Sequence, residues 1–134
     1  MLIINTDGGA RGNPGLGAIG IVIRKDEKII ERYSQKIKGK VTNNVAEYVA
    51  LIKALEIVSQ DYEDKEIICC LDSELIVKQL LGEYRVRNKY LMKFFLKVQE
   101  LQENFEKITY KHVKRKDKFQ KIADYLLNME LDKD

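Results

Sequence analysis

The order of its apolar patterns constrains the fold of this chain more than any other feature. Three β-rich stretches come first, at residues 2–6, 18–24 and 28–37, and a charged turn at 25–27 separates the last two. Residues 8–17 are rich in glycine and contain the chain's single proline, so they are predicted to form a loop. Together these patterns predict an antiparallel three-stranded meander.

Helical and strand patterns alternate in the rest of the chain. A first helix is predicted from residue 43 or 44 to about residue 59, with Asn44 as its N-cap and Glu47 completing a capping box. Ser73 is predicted to cap the second helix, and Gly82 to end it. The other predicted elements are strands at 66–71 and 108–113 and helices at 74–81, 88–104 and 119–129. The order β-β-β-α-β-α-α-β-α predicts one α/β domain over residues 1–134 with a mixed sheet.

The composition is typical of a soluble protein. Charged residues make up 34% of the chain and apolar residues 45%, and no apolar run approaches the roughly 20 residues that cross a bilayer. The N-terminus shows no secretory signal, so we expect a cytoplasmic protein, no membrane partner and, by default, a monomer. The adjacent Cys69 and Cys70 lie in a predicted strand, which makes them core residues rather than disulfide or metal ligands.

The basic residues are clustered, although the net charge of +3 is too small to identify a partner. One cluster comprises Arg85, Arg87, Lys89 and Lys93, and a second comprises Lys111, Lys114, Arg115, Lys116, Lys118 and Lys121. Such clusters can bind the phosphate groups of a nucleic acid, but each alone is more often a solvated surface.

Four acidic residues stand in strongly patterned surroundings: Asp7, Glu47, Asp72 and Asp124. Two follow predicted strands and two lie on largely apolar helices, where a carboxylate is unfavourable unless positive charge compensates it. No Arg or Lys is placed beside all four, which favours two bound Mg²⁺ ions, with Mn²⁺ as a substitute. Two such ions serve phosphodiester hydrolysis. Each acid alone also fits a simpler role, as a helix cap or at a helix N-terminus.

The polar residues near these acids have two interpretations. The glycines of residues 8–17 either turn a hairpin or let a sugar-phosphate backbone approach, with Asn13 as a hydrogen-bonding partner. The run Thr42-Asn43-Asn44 either caps a helix or contacts ribose hydroxyls and base edges. The single histidine, His112, lies in the last predicted strand, where a structural role is commoner than a catalytic one.

Four segments resemble type 1 ribonuclease H, in the short archaeal-type form. They are T-D-G-G-A-R-G-N-P-G, T-N-N-V-A-E, the apolar strand ending in L-D-S, and A-D-Y-L, in this order along nearly the whole chain. The resemblance implies a ribonuclease H-like fold: a five-stranded mixed sheet with strands 1–3 antiparallel, strands 4 and 5 parallel to strand 1, and helices on both faces. It also implies hydrolysis of the RNA strand of an RNA–DNA hybrid, without sequence preference, giving 5′-phosphate and 3′-hydroxyl ends.

The resemblance also assigns residues. The catalytic and metal-binding carboxylates would be Asp7, Glu47, Asp72 and Asp124, and the substrate contacts Gly8, Asn13, Thr42, Asn43, Asn44 and Ser73. Long family members insert a basic protrusion that this chain lacks, so Arg85 and Arg87 are expected to replace it in part. Long members also carry a loop histidine, for which Arg115 is the expected replacement, with Lys114 and His112 as further accessory candidates. Gln120 stands where the family often has asparagine, so its role is open.

Two alternatives to this activity stay open at the level of sequence. One is another nuclease on the same scaffold that acts on double-stranded RNA, a DNA junction or a DNA end. The other is a nucleic-acid-binding module without catalysis, which the presence of all four acids disfavours.

Overall fold

Five strands and four helices make up the described part of the chain, residues 1–133 of the computed structural model. The strands are β1 (Leu2–Gly12), β2 (Gly15–Lys25), β3 (Lys28–Val41), β4 (Glu66–Leu71) and β5 (Lys107–His112). The helices are α1 (Asn43–Asp61), α2 (Glu74–Leu80), α3 (Lys89–Gln102) and α4 (Lys118–Leu131). The predicted order of elements is confirmed.

The strands form one mixed sheet in the order β3-β2-β1-β4-β5. Strand β1 pairs antiparallel with β2 and parallel with β4, and β5 pairs parallel with β4. This arrangement confirms the predicted antiparallel meander and the two parallel strands. The central position of β1 brings the chain's first strand next to β4, so residues far apart in sequence meet where these two strands end.

The predicted loop at residues 8–17 was wrong, because most of it is strand. Strand β1 continues to Gly12 and β2 begins at Gly15, and these two glycines are paired across a tight turn. Glycine suits these two positions because Gly12 has a φ of +96° and a Cβ on Gly15 would collide with the carbonyl oxygen of Arg11. The glycines therefore reflect close packing in a hairpin, which composition alone does not separate from a loop.

The predicted capping of α1 was also wrong. The N-cap is Thr42, whose Oγ1 accepts a hydrogen bond from the Val45 amide at 3.2 Å, and Asn44 already lies inside the helix. Glu47 therefore lies beyond the first turn, out of reach of a capping box. The structure instead uses its carboxylate for contact with β1.

Helices cover the two faces of the sheet unequally. The main core combines residues of α1, α2 and α3 with one face of the sheet and includes Tyr48, Leu51 and Leu55. A smaller cluster between β2 and α4 contains Val22 of the strand and Ala123 and Leu126 of the helix. Cys69 and Cys70 are buried free thiols, as expected. No helix within residues 1–133 combines the length and apolar character needed to cross a bilayer.

Candidate active site

The site lies where the parallel pairing of β1 and β4 ends. The last paired residues are Asn5 and Cys70; Asp7 comes two residues later on β1, and Asp72 comes two residues later, just after the end of β4. The side chain of Glu47 on α1 lies close to both. One carboxylate oxygen from each of Asp7, Glu47 and Asp72 lies within 4.8 Å of the other two. The structure therefore brings together three of the four predicted acids in one compact set.

Glu47 reaches the set because α1 packs tightly against β1. A Cβ on Gly8 would lie 2.0 Å from the carbonyl oxygen of Ala46, so only glycine allows this approach. The Gly8 amide donates to Glu47 Oε1 at 2.7 Å, which fixes the carboxylate. The other oxygen, Oε2, is buried and has no hydrogen-bond partner among the described residues.

Asp124 reaches the same groove from α4, on the opposite face of the sheet. It lies outside the compact set of three, and its Oδ1 accepts a hydrogen bond from Asn128 Nδ2 at 3.2 Å. The same Nδ2 also donates to the Asp124 carbonyl oxygen at 2.9 Å, one helical turn earlier. Asp124 is half-buried, so it is more accessible than Glu47, the other site acid on a helix.

Burial and mutual repulsion disfavour the ionised form of the clustered acids. Burial is the main cause of the raised pKa of Asp7, and the neighbouring carboxylate of Glu47 and the charges of Asp72 and Asp124 raise it further. Burial likewise raises the pKa of Glu47, with a smaller contribution from the charge of Asp72. Burial also raises the pKa of Asp72, against the lowering effect of Arg115. Without positive charge, this set is electrostatically strained.

Divalent cations fit this set of residues. The donors are all carboxylate oxygens, which suits Mg²⁺ or Mn²⁺. The buried, unpartnered Oε2 of Glu47 is a ligand atom that lacks a protein partner within residues 1–133. Over the same residues, the only cation in ion-pair range of the four acids is Arg115, with its Nε 3.8 Å from Asp72 Oδ2. Arg115 is 87% exposed and neutralises little of the buried charge.

An open groove of about 480 Å³ surrounds the acids. All four acids line it, as do five of the other residues predicted for the site: Gly8, Asn43, Asn44, Ser73 and Arg115. Asn13 and Thr42 line a second depression that shares Asn43 and Asn44 with the groove and also includes Asn88 and Tyr90. The remaining candidates, Arg85, Arg87, Lys114 and His112, line neither, although all are exposed. His112 pairs in the sheet with Leu71, the residue that immediately precedes Asp72.

Two polar residues that line the groove, Arg11 and Asn128, were not predicted from the sequence. Arg11 forms an ion pair with Asp132 at 2.6 Å and donates to the carbonyl oxygen of Asn128 at 3.5 Å, so it joins β1 to the end of α4. It was missed because its segment was interpreted as a loop. Asn128 was detectable in principle, because it lies four residues after Asp124 on the same helical face.

The open question about Gln120 has a structural answer. Its side chain is fully buried, and its Nε2 donates to the Thr6 carbonyl oxygen at 2.7 Å. Its Oε1 accepts from Asn5 Nδ2 at 3.2 Å. Gln120 thus joins α4 to the segment of β1 that leads directly into Asp7.

A mixed sheet in this strand order, with Asp7 and Asp72 just beyond the last paired residues of two parallel strands, is typical of a ribonuclease H-like domain, and comparisons with known proteins agree. A family model described as reverse transcriptase-like matches residues 5–130. A ribonuclease H of Ruthia magnifica is 32% identical over 145 residues, which cover 98% of this chain and 96% of that protein. The chain belongs to the ribonuclease H family.

Two further relatives define the extent of this similarity. LC11-RNase H1, solved in complex with an RNA/DNA hybrid, superposes with a TM-score of 0.90 at 39% identity, over 98% of this chain and 97% of that one. The bifunctional protein Rv2228c of Mycobacterium tuberculosis is 36% identical over 115 residues, or 85% of this chain. The matched region is only 31% of Rv2228c, so the chain spans about a third of the length of its mycobacterial relatives.

Proposed function

We propose that this chain is an endoribonuclease that hydrolyses the RNA strand of an RNA–DNA hybrid with two Mg²⁺ ions, or Mn²⁺ in their place. It acts as a monomer, without sequence preference, and leaves 5′-phosphate and 3′-hydroxyl ends. The observation that carries this proposal is the compact set of Asp7, Glu47 and Asp72, with a buried Glu47 oxygen that lacks a partner among the described residues. The hybrid bound by LC11-RNase H1, a relative that matches nearly the whole chain, supports the choice of substrate.

The protein's own contribution to catalysis is a fixed array of ligands. Asp7 is close enough to feel the charges of all three other acids. In this proposal it is shared by both ion positions, with Glu47 and Asp72 completing one and Asp124 the other. The Gly8 amide holds Glu47 Oε1 in place, so Glu47 is oriented before any ligand binds. Divalent ions held here would lower the pKa of a water molecule and stabilise the charge that develops on the phosphodiester.

The polar wall of the groove suits an RNA strand. Asn43 Oδ1 accepts from the Ala10 amide at 2.9 Å, and Asn13 Oδ1 accepts from the Asn43 amide at 3.0 Å. These bonds orient both side chains and leave each Nδ2 group as the donor for a substrate oxygen. Ribose 2′-hydroxyls are the groups that distinguish RNA from DNA in a hybrid's wide minor groove. Contacts of this kind select RNA without selecting a base sequence.

The proposal is tested by a cleavage time course on a hybrid whose two strands carry different labels. We expect cutting of the RNA strand alone with Mg²⁺ or Mn²⁺, and none with EDTA. Duplex RNA and duplex DNA of the same sequence run in parallel, since cutting of either in preference to the hybrid would redirect the assignment. A hybrid that is bound but uncut with every metal would leave a binding module as the function.

A pair of variants shows whether the cutting belongs to this site. Asp72→Asn is expected to remove cleavage while the protein stays folded, because it keeps the side-chain shape and removes a ligand charge. Asp61→Asn, at the exposed end of α1, is the matched control and should cut like the wild type. Equal activity of the two variants would assign the cutting to a contaminating nuclease.

A further inference from the structure

Gln120 is the most deeply buried amide of α4, and its bonds lead directly to the site. Its side chain is 0% exposed, and both ends of its amide are bonded to β1: Nε2 to the Thr6 carbonyl oxygen and Oε1 to Asn5 Nδ2. Thr6 immediately precedes Asp7, and Gln120 lies one helical turn before Asp124. A single side chain therefore connects the strand that carries one acid to the helix that carries another.

The connection is part of a buried polar network rather than an isolated bond. Arg24 on β2 donates from Nε to Asn5 Oδ1 at 3.2 Å, so the Asn5 amide is bonded on both sides. The Arg24 guanidinium stacks over the ring of Phe119 at 3.9 Å, next to Gln120. A buried network in which each amide is satisfied favours one geometry strongly over its alternatives.

A second contact fixes the same helix close to Asp124. A Cβ on Gly20 would lie 2.0 Å from the carbonyl oxygen of Ala123, so the α4 backbone rests directly on β2 at the residue before Asp124. Gly20 lies opposite Asp7 in the β1–β2 pairing. Gln120 and Ala123 thus hold one turn of α4 against the sheet, and this turn determines where Asp124 stands relative to Asp7.

We propose that Gln120 is a positioning residue that sets the separation of Asp124 from Asp7 and thereby the affinity of the ion position these two acids share. This inference rests on the proposed function for its kinetic consequence, but the effect on ion binding exists without substrate. Gln120 touches neither substrate nor ions, so it acts through the position of α4. Displacements of about 1 Å at a reacting centre are enough to reduce rates about 100-fold.

The test replaces Gln120 with methionine, which keeps length and volume but removes both bonds to β1. The matched control is Gln79→Met, because Gln79 is also buried and accepts from the Tyr48 hydroxyl, away from Asp124. Both variants lose a buried amide, so we expect similar losses of stability to denaturant. Isothermal titration calorimetry with Mg²⁺ alone, in the absence of hybrid, then measures ion affinity for each.

The expected result separates positioning from stability. Gln120→Met should weaken the weaker Mg²⁺ binding event by about tenfold or more, and raise by a similar factor the Mg²⁺ concentration that half-saturates hybrid cleavage. Its KM for hybrid at saturating Mg²⁺ should match the wild type, while kcat falls. Gln79→Met should show wild-type Mg²⁺ affinity despite its lower stability.

Wild-type ion affinity in folded Gln120→Met would overturn the proposal, and so would an equal loss of affinity in Gln79→Met. Should Gln120→Met fail to fold, Gln120→Asn decides the question, because its shorter amide keeps a polar group but cannot reach both partners. Failure of the wild type to cut hybrid with any metal would instead refute the proposed function, and calorimetry would still report on Gln120.

Discussion

Helices α1 and α4 carry acids to one groove from opposite faces of the sheet. Both helices pack against a glycine of the sheet in the same way, but α1 is buried more deeply than α4. In each helix the residue before the acid is an alanine whose carbonyl oxygen would be 2.0 Å from a Cβ on a sheet glycine: Gly8 for α1 and Gly20 for α4. The depth of burial then differs. Helix α1 has ten buried residues, including Glu47 at 7% exposure, whereas α4 has five and its acid is half-buried.

Glu47 and Asp124 are therefore not held equally firmly. Glu47 lies between Ala46 and Tyr48, which belong to the main core, and the Gly8 amide holds its carboxylate. Asp124 depends on a smaller set of contacts, chiefly those of Gln120, Ala123 and Asn128. We therefore expect the α1 side of the site to be rigid and the α4 side to be the adjustable one.

A large loss of cleavage, comparable with that of Asp72→Asn, is expected from Glu47→Gln, which keeps the shape of the side chain and removes its charge. Loss of a ligand from the compact set should lower the single-turnover rate of hybrid cleavage by about 10³-fold. Glu56→Gln, on the same helix but outside the groove, is the control and should cut at the wild-type rate. A loss of less than about tenfold in Glu47→Gln would mean that the compact set is not the catalytic one.

A smaller loss is expected from Asp124→Asn, because Asp124 lies outside the compact set and on the accessible side of the groove. We expect cleavage to fall about 10- to 100-fold, with part of the loss recovered at higher Mg²⁺ concentration. Cleavage rates measured across a Mg²⁺ titration test this. A loss as large as that of Glu47→Gln, without recovery, would remove the distinction between the two helices.

Two glycine variants test the close contacts of α1 with Gly8 and of α4 with Gly20. Gly8→Ala and Gly20→Ala each force a methyl group against helix backbone, so each should reduce the free energy of unfolding by about 1–3 kcal/mol. The loss should be smaller for Gly20→Ala, because α4 has the smaller core and shifts more easily. The Mg²⁺ concentration that half-saturates hybrid cleavage should rise more in Gly20→Ala than in Gly8→Ala. Denaturant unfolding measures the stability effect, with Gly9→Ala as a control whose Cβ makes ordinary contact with Leu127.

The sequence was sufficient to predict the fold and to single out acids of which three lie together in the structure, but it was insufficient for the contacts that hold them. Apolar periodicity and the charged turn at 25–27 predicted the strands and helices, because these signals are local. The glycines of residues 8–17 were ambiguous, since their reason for being glycine is the approach of other segments, such as Ala46 against Gly8. The choice between Thr42 and Asn44 as N-cap was ambiguous too, because both residue types cap helices well.

Interactions between distant segments account for the residues that were missed. Gln120 was recognised as a departure from the family, but its partners Asn5 and Thr6 lie more than 100 residues away in sequence. The link from Arg11 to Asn128 likewise joins the first strand to the last helix. Such pairs become visible only when the fold places β1 beside α4.

Removal of the Asp7 charge is expected to stabilise the metal-free protein modestly, whereas it should impair cleavage. The pKa of Asp7 is raised above its ordinary value of 3.8, so its contribution to stability is present below pH 3.8 and is lost as pH rises through the folded-state pKa. In EDTA near pH 7.5, Asp7→Asn should therefore be more stable than the wild type by about 0.5–2 kcal/mol. Denaturant unfolding of both proteins between pH 5 and about pH 8 checks that the difference grows with pH. A variant that is less stable throughout would contradict the strained cluster.

In the proposed mechanism, acids from both faces of the sheet hold two ions in one groove. Anomalous diffraction tests this on crystals of the Asp72→Asn variant with Mn²⁺ and an RNA–DNA hybrid, beside wild-type crystals with Mn²⁺ alone. We expect two Mn²⁺ peaks about 3.5–4 Å apart in the hybrid complex, one beside Asp7 and Glu47 and the other beside Asp7 and Asp124. A single peak, or peaks remote from Asp124, would contradict it.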